Sequence, residues 1–216
     1  MKSPEHLQDL ISKKFPGATM PTKGICGPVF RTGLKALDTI FHHGGIPFGQ
    51  LIEITGDISS GKTSLAFKLL ASLTRTGNAA YVDYAQTFFP PSAIAAGVNI
   101  DRLWLLRPLG LTAGFRSAEL LVKHGAVRGV IIDLVGHTKL SKPLSPTMIH
   151  RLRQQAARSK VMIIFLTENT LSPTRIISPS TVSLRLETHH LAGGMTEVTI
   201  TKSRLCREGI SIEVKL

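Results

Sequence analysis

The chain is poor in several features that would set its class. Its 216 residues hold only 2 cysteines, Cys26 and Cys206, without paired spacing, which argues against a disulfide framework and against a zinc site. Both read as reduced thiols. No apolar run approaches the roughly 20 residues that span a bilayer. The amino terminus, MKSPEHLQDL, lacks the apolar segment of a secretion signal, so a cytoplasmic protein is expected, with no membrane partner. No internal repeat or low-complexity tract interrupts the pattern. Acidic residues are also scarce: 14 Asp+Glu against 26 Lys+Arg give 26 − 14 = +12, a balance that favours a polyanionic partner such as nucleic acid. The excess is uneven. Between Leu134 and Thr167 stand Lys139, Lys142, Arg151, Arg153, Arg158 and Lys160 with no acidic residue; a solvated basic face is the alternative reading.

What is present is a globular composition, 43% hydrophobic, long enough for a substantial core. Residues 56–63, GDISSGKT, satisfy the phosphate-loop pattern GxxxxGK followed by Ser or Thr. Glycines let such a loop curl so that backbone N–H groups point inward, the lysine supplies charge to β- and γ-phosphates, and the hydroxyl ligates Mg²⁺. Four fixed positions make a permissive pattern, and a Gly/Ser turn with a chance lysine is the bland alternative. Context decides: LIEIT before the loop reads as a buried strand, and SLAFKLLASLT after it has apolar residues at helical spacing, the strand–loop–helix arrangement that the chemistry needs. The expected ATP contacts are Gly56, Asp57, Ile58, Ser59, Ser60, Gly61, Lys62, Thr63 and Ser64.

Along the chain, residues 4–15 place Leu7, Leu10, Ile11 and Phe15 on one stripe, predicting a short amphipathic helix. The Gly/Pro-rich stretch to Pro28 predicts a linker or arm, so residues 1–30 form an N-terminal element and 31–216 the core. TGLKALDTIF predicts a helix with Thr32 as N-cap, leading into the GGIPFGQ turn. AAYVD and LWLLRP read as strands, PPSAIAAGVNI as a short helix stopped near Gly97, and AGFRSAELLVKHGA as a longer helix ending at Gly125. RGVIIDLVG is a continuous apolar run closing on Asp133, a strand covered on both faces. A carboxylate at that position can hold Mg²⁺ through water, together with Thr63; an aspartate that merely caps a strand end is the alternative. SPTMIHRLRQQAARSK predicts a helix facing inward with Met148, Ile149, Leu152 and Ala156, and VMIIFLT another buried strand. TVSLRLE, MTEVTITKS and GISIEVKL alternate with period two, predicting antiparallel strands added to one edge of a mostly parallel α/β sheet.

The run TGLKALDTIFHHGGIPFGQLIEITGDISSGKTSLA, with YVDYAQTFFPPSAIAAGVNIDRL, the strand ending in Asp133 and TEVTITKSRLCREG, resembles the core of the RecA recombinase superfamily in order and motif. The resemblance covers most of the chain from about Leu7 onwards. It implies a RecA-like P-loop core, a mostly parallel twisted sheet flanked by helices, binding ATP and Mg²⁺, with the N-terminal helix and arm docking on a neighbouring subunit. Lys202 and Arg204 match the basic pair with which one filament subunit reaches the next subunit's ATP; an alternating exposed strand face is the other reading. Nucleic acid is placed by the family at the sheet's carboxyl end, which nominates Lys139, Lys142, Arg151, Arg153 and Arg175 for DNA contact.

Departures from the family pattern accompany the matches. Where recombinases carry a D-x-E strand end whose glutamate positions the attacking water, this chain reads Asp83, Tyr84, Ala85. An alanine neither polarises nor orients water, so slow or absent hydrolysis is expected. Gln86, one residue on, is a weak substitute that strand alternation turns to the other face. The family's Asn-Gln sensor is replaced by Thr167 and Glu168, and the loops at residues 137–145 and 169–180 are short. Within the superfamily the texture of AYVDYAQTFFPPSAIAAGVNIDRLWLLRP followed by VIIDLVG resembles the ImuA group, RecA-like accessory proteins of bacterial mutagenesis cassettes. That resemblance implies a bacterial, nucleoid-associated factor working with translesion polymerase components or RecA in the DNA damage response. The alternative is a compact DNA-dependent ATPase that pairs strands. A small-molecule kinase on the same loop is less well supported, since no lid segment with arginines is identifiable.

Overall fold

A computed structural model of the chain describes residues 28–136, 144–169, 177–178 and 180–216. The expected N-terminal helix and arm, and Lys139, Lys142, Arg175 and Cys26, lie outside the described residues. Strand β1 (Val29–Phe30) pairs antiparallel with β2 (Ile46–Pro47), bracketing a one-turn helix α1 (Lys35–Asp38). The helix is shorter than its sequence suggests because Thr32 ends the chain's entry into it: the Thr32 hydroxyl donates to Asp38 Oδ1 at 2.8 Å and accepts the Leu34 N–H at 3.1 Å. These bonds make a tight turn in place of another helical turn.

The core strands follow, with helices between them. β3 (Leu51–Gly56) leads into α2 (Lys62–Thr76), β4 (Ala79–Asp83) into α3 (Pro90–Ala95), and β5 (Leu103–Leu106) into α4 (Leu111–Lys123). β6 (Gly129–Asp133) precedes α5 (Pro146–Ser159) and β7 (Met162–Leu166); β8 (Leu184–His190), β9 (Met195–Ser203) and β10 (Ser211–Lys215) close the chain. One eight-stranded sheet results, in the order β10-β9-β8-β3-β7-β6-β4-β5. β3, β4, β6 and β7 are buried along their whole length, which is why they read as unbroken apolar runs. One core cluster packs α2 against one face, with Leu65, Leu69, Leu70 and Leu73; a second lies under α4 and α5, with Phe115, Val122, Ile149 and Leu152.

The three terminal segments form the expected antiparallel edge, β8 with β9 and β9 with β10, and β8 also pairs parallel with β3, with Glu53 opposite Arg185 and Gly56 opposite Thr188. The period-two pattern does not reveal the parallel junction of β8 with β3, for a physical reason. Arg185 is a polar position of that pattern, yet it is 5% exposed, and its charge is met inside the sheet by Glu53. Arg185 Nε donates to Glu53 Oε2 at 2.7 Å, and the Thr167 hydroxyl donates to Glu53 Oε1 at 2.9 Å. Three adjacent strands are therefore tied by one buried polar network, and the strand that carries the phosphate loop lies between two parallel neighbours.

A buried pair that loses one partner leaves an uncompensated charge. Arg185→Met should lower the unfolding free energy by about 3–5 kcal/mol in urea titration, and adding Glu53→Leu should restore most of it. A single-variant loss below about 1 kcal/mol would contradict the role given to this pair.

Candidate functional site

All the parallel strands end on one side, and the loop after β3 opens there, between β7 and β8. Gly56 approaches Ser60 and Thr188 so closely that a Cβ on it would stand 2.5 Å from Ser60 Oγ and from the Thr188 carbonyl oxygen. Gly61 adopts φ +92°, a left-handed conformation suited to glycine, and starts α2 with no side-chain cap and no acidic residue in the first turn. The leading amides of this 15-residue helix thus keep their hydrogen-bonding capacity and the positive end of the dipole. Such an end is built for an anion.

Lys62 is buried, 5% exposed, beneath the loop. Its ammonium donates to the Gly56 carbonyl at 2.9 Å and to the Asp57 carbonyl. Burial pulls its pKa below the ordinary lysine value, while the carboxylates of Glu168, Asp57 and Asp133, in that order, pull it back up. Thr63 and Ser64, exposed in the first turn of α2, line a cavity of about 430 Å³ with Ser60, Lys62, Glu168 and Thr196. A second cavity of about 400 Å³ adjoins it at Thr63 and Ser64, walled by Phe67, Lys68 and Phe89, the last 59% exposed.

Asp133 ends β6, 2% exposed, in register with Asp83 of β4. The Tyr81 hydroxyl donates to its Oδ2 at 2.5 Å and the Val135 N–H to its Oδ1 at 3.0 Å. Burial raises the Asp133 pKa above the usual carboxylate value, and the bond from Tyr81 is the largest influence holding it down. Burial likewise pushes the Tyr81 hydroxyl well above its ordinary value, so it stays a donor. Each carboxylate oxygen retains a further lone pair, and the donor set of Thr63 and Asp133 fits a hard cation held partly through water. No group of three or more His, Cys, Asp or Glu suited to a metal occurs among the described residues.

Other expected residues are placed differently. Neither Ala85 nor Gln86 lines the phosphate cavity. Gln86 does not sit on a strand at all, since β4 ends at Asp83 and Gln86 is exposed in a left-handed turn with φ +57°; alternation along a strand therefore does not determine its direction. Asp83 holds that turn, accepting the N–H groups of Thr87 and Phe88 at 3.0 and 3.1 Å and pairing with Arg107 at 3.3 Å. Lys202 lies opposite Arg185, whereas Val198 lies at the level of Gly56. Four residues of strand, roughly 13 Å at 3.3 Å each, thus separate Lys202 from the chain's own loop. Its ammonium donates to the Val182 carbonyl at 3.4 Å, and Arg204 donates to the Ser180 carbonyl. Arg151 pairs with Glu119 at 2.8 Å on the surface of α5, and Arg153 is half-buried on the same helix.

Sequence reasoning missed Tyr81 as the partner of Asp133 and Thr188 and Thr196 as walls of the loop, and it saw Glu168 only as a departure. Strand alternation could have put Tyr81 on the face of Asp83; the register that brings both beside Asp133 could not be read.

A phosphate loop between the central parallel strands of an α/β sheet, its buried lysine beneath it and a carboxylate two strands away, defines a P-loop protein of the nucleotide-binding type. Residues 25–162 match the RecA N-terminal domain family model, more than half of the sequence, and the chain belongs to that family. Protein RecA of Treponema denticola is 33% identical over 156 residues, 65% of this chain and 38% of that protein. Protein RecA of Methylococcus capsulatus is also 33% identical over 156 residues, 65% of this chain and 45% of its own length. The chain therefore spans less than half the length of these relatives. The crystal structure of the RadB recombinase shares the fold, with a TM-score of 0.70 at 21% identity, over 86% of this chain and 95% of that one. No helix among the described residues is long and apolar enough to cross a membrane.

Removing the donor from a buried carboxylate leaves its charge under-solvated. Tyr81→Phe should cost about 1–2 kcal/mol of stability at neutral pH. Because Tyr81 favours the charged form of Asp133, that loss should be full above the raised Asp133 pKa and shrink as pH falls through it. Equal unfolding midpoints for both proteins at neutral pH would refute this assignment.

Proposed function

We propose that the chain binds ATP with Mg²⁺ and acts as a DNA-associated RecA-family accessory factor with slow or absent hydrolysis. The carrying observation is an intact phosphate site without the carboxylate that the family resemblance implies after β4. Lys62, Thr63, Asp133 and the uncapped start of α2 supply what a magnesium-bound triphosphate needs, while Ala85 offers no carboxylate after β4. Gly56 to Ser64 would hold the phosphates, and Asp133 and Thr63 the metal, whose charge offsets that of the phosphates.

The finer reading follows the ImuA resemblance: an assembly partner of translesion polymerase components or of RecA in the DNA damage response, inside a bacterial cell at the nucleoid. The +12 charge supports DNA association, with Arg151 and Arg153 on α5, and Lys139, Lys142 and Arg175, as contacts. Arg151 is the weaker of the two on α5 because Glu119 already engages it. A second reading, a DNA-dependent ATPase that pairs strands, draws on Lys202 and Arg204. Both lie far from their own loop, so they could serve only a neighbour's site, in an oligomer of the kind expected to form through the N-terminal arm.

Titration of ATP with Mg²⁺, paired with phosphate release with and without single-stranded DNA, tests the choice. Binding without appreciable turnover is expected, with Lys62→Ala weakening ATP by at least about a hundredfold and Ala85→Glu raising turnover. DNA-stimulated turnover comparable to an authentic recombinase would favour the second reading. DNA affinity should fall steeply with salt and show little sequence preference, and Arg153→Ala should reduce the log–log slope by about 1; a flat response would remove nucleic acid from the function.

A further inference from the structure

The phosphate cavity contains a carboxylate, that of Glu168, together with the loop lysine. Glu168 stands two residues beyond the end of β7, the strand directly beside β3. Its backbone is pinned on both sides to the root of the loop: the Thr167 N–H donates to the Ile54 carbonyl at 3.0 Å, and the Asn169 N–H to the Gly56 carbonyl at 3.1 Å. Its side chain is fixed in turn, with Oε1 accepting the Gly136 N–H at 3.1 Å. The same Gly56 carbonyl receives the Lys62 ammonium, so Glu168 and Lys62 converge on one end of the cavity that both line.

That end has a chemical identity. The loop lysine reaches the β- and γ-phosphates, whereas the amides and hydroxyls of Thr63 and Ser64 lie at the start of α2. A triphosphate brings one more anionic group than a diphosphate to the cavity that Lys62 and Glu168 share, so the Glu168 carboxylate disfavours the triphosphate more. Lys62 is the only Lys or Arg lining the cavity among the described residues, and Glu168 is the strongest of the three carboxylate influences on it. Lys62 cannot fully serve both its carboxylate neighbours and an added phosphate. Two like charges about 5 Å apart in a partly solvated protein site disfavour each other by roughly tenfold or more after screening.

We infer that Glu168 makes this cavity selective for nucleoside diphosphates over triphosphates. The inference rests on the nucleotide-binding reading above and refines it: the protein binds its nucleotide through Lys62 and the start of α2, and Glu168 sets which phosphate chain is preferred. Glutamine at the same position keeps the shape and an acceptor for Gly136 but removes the charge.

Isothermal titration of the full chain with Mg-ADP and with a non-hydrolysable Mg-triphosphate analogue tests it, using the native protein, Glu168→Gln and Glu168→Asp, with unfolding midpoints confirming that each variant is folded. The native protein should bind the diphosphate at least about tenfold more tightly. Glu168→Gln should gain about tenfold for the triphosphate while its diphosphate affinity stays within about twofold, and Glu168→Asp should keep part of the preference. Added salt should narrow the native preference and leave that of the Gln variant little changed. A preference that is absent in the native protein, or identical in the native and Gln proteins, overturns the inference while leaving nucleotide binding intact. No binding of either nucleotide to any of the three proteins overturns both readings.

Discussion

The ammonium of Lys62 is the charge around which this protein is arranged. It is buried under a loop of its own chain, held by the Gly56 and Asp57 carbonyls and surrounded by the carboxylates of Asp57, Asp133 and Glu168. A lone buried cation is costly, and this one is made tolerable by backbone oxygens whose positions require glycine at 56, where a Cβ would collide with Ser60 and Thr188. The loop, strand β3 and the start of α2 therefore form one unit. Shifting any of them would strand the charge.

That unit is anchored deeper in the sheet. Glu53, three residues before Gly56, is locked between Arg185 of β8 and Thr167 just after β7, and Asp133 is held by Tyr81 from β4, with β6 and β4 side by side. Both networks place ionisable groups inside an otherwise apolar sheet, and both fix neighbouring strands relative to the site. Polar groups in such a place must be satisfied or they are destabilising, so the register of the sheet and the geometry of the site are specified together.

The carboxylates around this site differ from the pattern that the family resemblance implies. The position after β4 where a water-orienting glutamate is expected holds Ala85, while Glu168 brings a carboxylate into the cavity from the end of β7. Glu168 is a carboxylate that lines the cavity, whereas Ala85 lies outside its lining. The match to RecA relatives covers less than half of their length, and it includes the phosphate-binding unit.

The sequence by itself determined the order of strands and helices from β3 to β7, the phosphate loop, Lys62, Thr63 and Asp133, and the alanine at 85. These are legible because a doubly covered strand needs an unbroken apolar run and a phosphate loop needs glycine and lysine at fixed spacing. The parallel direction of β8 was not legible, because Arg185 looks like a solvent-facing residue until Glu53, 132 positions away, neutralises it. The bond from Tyr81 to Asp133 and the entry of Glu168 into the cavity of Lys62 were likewise decided only in three dimensions. Each depends on which strands lie side by side and in what register, and local periodicity carries no record of either.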